Sequence, residues 1–177
     1  MTENTELFTT VEEGPAPKPA RPAAKPAAQK EETLLARLTE TIKKKVERSH
    51  VYLDVPEREG VTIKISPNIT QQQMRNWRKQ AGEDTRNGMD ATKFACIVIG
   101  ATTAGICMSG EEVFDEDGYE LNFASSQLFE MTDTTRAIDC VKVFFGVDPH
   151  IEAAALAILD AAGYSDTVET VDPTKES

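Results

Sequence analysis

Basic residues are scarce in this chain: 19 Lys and Arg stand against 30 Asp and Glu, a formal charge of −11. A general nucleic-acid binder needs a basic face to displace counterions from phosphates, so the balance argues against that class. The shortage is not confined to the ends, because residues 51–163 hold 9 Lys and Arg and 18 Asp and Glu. Such a surface suits a basic or apolar partner. Cysteine is also sparse. Cys96, Cys107 and Cys140 form no Cys-x-x-Cys pair, are odd in number and sit in apolar runs, which predicts reduced, buried thiols and a cytosolic setting.

Histidine occurs twice, His50 at an element boundary and His150 in the first turn of the last helix, and neither sits in a nucleophile–base–acid pattern. A thiol–imidazole pair of Cys140 with His150 is the sharp alternative. The two fall on separate expected helices and Cys140 adjoins an apolar face, which favours a buried thiol. There is no phosphate-binding Gly-x-x-x-x-Gly-Lys-Ser loop, no Gly-x-Gly-x-x-Gly opening a helix and no His-Glu-x-x-His zinc site. The residues therefore predict no catalytic group, no cofactor and no metal. No uncharged run reaches the roughly 20 apolar residues of a membrane span, and residues 1–30 lack the apolar core of a signal peptide.

What the chain does have is one long uncharged stretch. After Lys93 no charged side chain occurs until Glu111, so this run must be buried. Asp90 suits an N-cap, and Phe94, Ile97, Val98 and Ala101 recur at helical spacing, predicting a core helix that ends near Gly105. A chain of 177 residues allows one ordinary domain with tails around such a helix.

The rest arranges itself in order. Residues 1–30, with a stretch of Pro, Ala, Lys, Arg and Gln that holds five of the nine prolines, read as a disordered arm. Over 31–48, Leu34, Leu35, Leu38, Ile42 and Val46 make the stripe of an amphipathic helix. Its acids at the start and its Lys43, Lys44, Lys45 and Arg48 at the end suit the helix dipole better than a phosphate site.

Residues 51–163 read as a globular α+β domain, small and mostly helical with short antiparallel hairpins, followed by a polar tail over 164–177. Val51–Val55 and Val61–Ile65 alternate as strands about a turn at Pro56–Gly60. Thr70 with Gln73 has the form of a capping box, opening a helix with Met74, Trp77 and Ala81 on one face. Trp77 among Arg75, Arg78 and Lys79 could stack on a base, but a core anchor fits an acidic domain better.

A hairpin across Gly110 and a short strand over Tyr119–Phe123 follow. The acids of Asp115–Gly118 fail the calcium-loop spacing in both registers tried, which leaves an exposed turn. Ser125 or Ser126 caps a turn carrying Leu128, Phe129 and Met131, and Thr134 or Thr135 opens a helix closed by Gly146. Asp148-Pro149 starts the last helix, through Ile151, Ala154, Ala155, Ile158 and Leu159 to Gly163, whose alanines allow close packing within the fold or across a subunit interface.

The order of these parts, with Val-Thr-Ile-Lys-Ile-Ser-Pro at 61–67, Gly-Glu-Glu-Val-Phe-Asp-Glu-Asp-Gly-Tyr at 110–119 and Phe-Phe-Gly-Val-Asp-Pro at 144–149, resembles the tail assembly chaperones of long-tailed, siphovirus-type actinobacteriophages. The resemblance spans roughly residues 51–163. It implies a non-enzymatic chaperone that coats the tape measure protein in the host cytoplasm while tail tube subunits polymerise, and that is absent from the mature virion. The tape measure protein is the implied partner, with a frameshifted longer form of the chain itself and self-association as further contacts, and no nucleic acid or membrane. The apolar surfaces proposed for binding are Leu35, Leu38 and Ile42 on the first helix and Ala154, Ala155 and Ile158 on the last, with core packing the alternative for the second set. A structural virion protein, either a head–tail connector or a minor tail protein, is the other reading.

Overall fold

The computed structural model of the chain describes residues 26–165, with side chains from Thr33 onward. Most of the expected arm and tail, 1–25 and 166–177, lies outside the described residues. The chain divides into two compact units, Met1–Val46 and Glu47–Ser177.

In the first unit, helix α1 spans Pro26–Lys43, beginning and ending earlier than the 31–48 expected. Proline is tolerated in a first helical turn, and Ala27, Ala28 and Gln29 favour helix, so the end of the Pro/Ala stretch is drawn in. Arg48 belongs to the second unit, where the Asn68 side chain accepts from its N–H at 2.8 Å and donates to its carbonyl at 3.2 Å.

The second unit is α+β. Strands β1 (Val51–Asp54) and β2 (Val61–Ile65) pair antiparallel with Val51 opposite Ile65. Helix α2 (Gln71–Gln80) opens on the expected capping box. Thr70 Oγ1 accepts from the Gln73 N–H at 3.2 Å, and Gln73 Oε1 accepts from the Thr70 N–H at 2.9 Å. Helix α3 (Ala91–Thr102) begins with the Lys93 N–H donating to Asp90 Oδ1 at 2.9 Å.

The chain passes from α3 into strand β3 (Thr103–Met108) with no loop, three residues before the expected helix end. The Thr102 and Thr103 hydroxyls each donate at 2.7 Å to a carbonyl of the last turn, Val98 and Ile99, so two β-branched side chains close the helix and start the strand. Ser109 (φ 51) and Gly110 (φ 84) make the tight turn to β4 (Glu111–Glu112), where two successive positive φ angles match a two-residue hairpin. The sheet order is β1-β2-β3-β4, all antiparallel.

Tyr119–Phe123 adds no strand; it contributes one bridge, Phe114 to Glu120. Three helices finish the unit: α4 (Ser126–Thr132), α5 (Ala137–Phe145) and α6 (Asp148–Ala161). Ser125 is the N-cap of α4, but its hydroxyl accepts from the Asn122 N–H instead of capping. Arg136, not a threonine, precedes α5, and Gly146 ends that helix at φ 76. Leu128 is buried as expected, whereas Met131, one turn further along α4, is exposed.

Helix α3 packs along α5 and α6 and against α2. Ile99 and Val98 join Ile63 and Ile65 of the sheet, Trp77 of α2, Phe145 of α5 and Ile151 of α6 in one core. Truncating a wholly buried Ile99 leaves a void here, so Ile99→Ala is expected to lower stability by about 3 kcal/mol. Urea unfolding followed by the fluorescence of Trp77 measures it, and a loss well under 1 kcal/mol would remove α3 from the centre of the core.

Candidate partner-binding site

The two predicted apolar surfaces have opposite fates. On α1, Leu35 is 65%, Leu38 54% and Ile42 73% exposed, and Leu34 is exposed too, as is Val46 beyond the helix end. On α6, Ala155 and Ile158 are buried and Ala154 packs half-buried against the core. The face of α6 that carries Ile151, Ala155 and Ile158 lies along α3, so Ala155 and Ile158 serve close packing within the fold and Ala154 keeps part of its surface.

The side chain of α6 that does stand out is Leu156. It borders a small cavity of about 160 Å³ with Met89, Phe94, Leu159 and Glu152, the last accepting a 2.8 Å hydrogen bond from Thr92 Oγ1. Sequence reasoning missed Leu156 because it falls outside the i, i+3, i+4 set that marks the buried face.

The alternatives weighed from sequence also find their places. Trp77 is buried and cannot stack on a base. It lines a groove of about 360 Å³ together with Arg136, which is paired with Asp139 at 2.8 Å. In the acidic turn, Asp115 Oδ1 accepts from the N–H groups of Asp117 and Tyr119 at 3.0 and 2.9 Å, and Gln127 Oε1 takes the Glu116 N–H at 2.9 Å. These acids shape a loop, and among the described residues no group of three or more His, Cys, Asp or Glu is placed to hold a metal.

Cys140 is buried, with the Thr132 hydroxyl donating to its Sγ at 3.4 Å. His150 Nδ1 is buried without a hydrogen-bond partner among the described residues and lies 3.9 Å from Glu57 Oε1.

The face of the sheet that carries Lys64 holds a charge cluster. Lys64 Nζ reaches Glu112 Oε1 at 2.7 Å and Glu120 Oε1 at 3.2 Å, and these two hydrogen-bonded carboxylates hold its pKa above the ordinary lysine value. Gly105, opposite Lys64 on β3, makes room for this: a Cβ there would lie 2.6 Å from Glu120 Oε2. The cluster fastens the 113–123 segment over the sheet and presents no free cation to a ligand.

No helix among the described residues is long and apolar enough to cross a membrane. No protein-family model matches the chain, and no curated protein or solved structure shows significant similarity to it.

All three cysteines are free and buried, and burial pushes the Cys96 thiol up to about 11. The thiolate is the reactive form, so the folded chain should release almost no colour with a thiol-specific chromogenic reagent at pH 8 and full colour once unfolded in urea. Rapid reaction of a thiol in the folded chain would contradict this packing.

Proposed function

We propose that this chain is a tail assembly chaperone of long-tailed actinobacteriophages, binding helical segments of the tape measure protein in the host cytoplasm by non-covalent contact and without catalysis. The observation that carries the reading is the exposed row of Leu35, Leu38 and Ile42 on α1, three large apolar side chains at the spacing by which one amphipathic helix grips another. The acidic balance of residues 51–163 supports it by suiting a lysine-bearing partner. The resemblance in element order supplies the identity of that partner.

The size of the contact suits a coat that must come off. Burying each such side chain contributes about 2 kcal/mol. The cost of association offsets much of the total. A single site is therefore weak, and many copies along a long helical protein hold by repetition while each stays displaceable by an advancing tube.

Co-expression provides the test. The tape measure protein should be soluble and recovered in complex with this chain at low salt, and Leu35→Glu with Leu38→Glu should abolish recovery while Trp77 fluorescence reports an unchanged globular unit. Equal solubility of the long partner with and without the chain overturns the reading, and finding the chain as a stoichiometric part of purified particles favours a virion subunit instead.

A further inference from the structure

Helix α1 is complementary to itself, and we propose that it pairs antiparallel with α1 of a second copy of this chain. The seam is Leu35, Leu38 and Ile42, which follow one another at the three- and four-residue spacing of a helix–helix contact and are all exposed. At 18 residues α1 is close to the length at which an isolated helix is marginal in water, so an apolar face covered by a neighbour would stabilise it as a helix.

The charges specify direction. The sequence places Glu31 and Glu32 toward the start of α1 and Lys43 and Lys44 at its end. A parallel pair sets lysines beside lysines and acids beside acids. An antiparallel pair sets the acidic end of each helix against the basic end of the other, and opposes the two helix dipoles favourably as well.

Polar groups near the seam do not resist this. Thr39 Oγ1 donates to the Leu35 carbonyl and Thr41 Oγ1 to the Arg37 carbonyl, each at 2.8 Å, so covering them strands no hydroxyl. The pairing does not depend on the tape measure reading, because it follows from α1 alone. If both hold, they exclude each other on the same stripe: the pair is then a stored form that a foreign helix must displace.

Sedimentation equilibrium of the full chain at high micromolar concentration and low salt reads the outcome. The wild-type chain is expected at the mass of two copies, and Leu38→Glu at the mass of one. Lys43→Glu with Lys44→Glu, which makes both ends acidic, is also expected at one copy, and adding Glu31→Lys and Glu32→Lys to that variant should restore two. Leu156→Glu should leave the pair intact, and Trp77 fluorescence should show every variant folded. A single-copy mass for the wild type, a Lys43→Glu/Lys44→Glu variant that still pairs, or loss of pairing in Leu156→Glu overturns the proposal. A single-copy mass for the wild-type chain leaves recovery of the tape measure protein in co-expression possible, and failed recovery leaves the two-copy mass possible, so the two readings fail separately.

Discussion

The second unit depends on the burial of α3. From Phe94 to Gly110 the chain carries no charge, and Cys96, Val98 and Ile99 are wholly buried. Such a helix has no charged face to give to water, so it must be covered on several sides, and of its uncharged run, residues 94–102, only the small Ala101 is left exposed. Helices α5 and α6 lie along it and α2 against it, and the apolar face of a four-stranded sheet completes the enclosure. The direct passage from α3 to β3 follows from the same constraint, since a polar loop between them would put unpaired backbone groups beside the core.

Enclosing α3 leaves the surrounding elements with polar outer faces that hold one another by directed bonds. Arg58, on the β1–β2 turn, donates to the Phe144 and Val143 carbonyls at 3.1 and 3.2 Å, satisfying the end of α5 where helical donors run out. Lys64 ties β2 to Glu112 and Glu120, and Gly105 gives the second carboxylate its place. The effect is a unit whose cations near the sheet are engaged internally. Its excess carboxylates face outward, which is the electrostatic character expected of a surface that meets basic or apolar partners and avoids phosphates.

On the proposed reading, the division into two units separates stability from recognition. The globular unit gathers most of its aliphatic side chains into one core and leaves single apolar residues such as Phe114, Met131 and Leu156 exposed, while α1 displays Leu34, Leu35, Leu38 and Ile42 together and buries none of them. An exposed stripe contributes nothing to the stability of the chain that carries it, and a helix made only of such a stripe and charges gains its cohesion from whatever covers it. The two proposals, binding to the tape measure protein and pairing with a second copy, are two ways of meeting that one physical need.

Much of this was legible in the residues. The capping box at Thr70, the Asp90 cap, the β1–β2 pair, the Gly146 stop and the burial of Met74, Trp77 and Ala81 all follow from local bonding and short-range periodicity, which depend on neighbours within one turn or one hairpin. The exposed stripe of α1 was equally visible as a pattern. What local pattern could not settle was which apolar faces would be covered. Ala155 and Ile158 have the same spacing and hydrophobicity as a binding stripe, and only the placement of α6 along α3 turns them into core. The end of α3 at Thr102, the reduction of Tyr119–Phe123 to one bridge and the closing of Lys64 between Glu112 and Glu120 were likewise tertiary decisions. Each turns on a partner far away in sequence, and the free energy of covering a surface or pairing a charge exists only once that partner is in place.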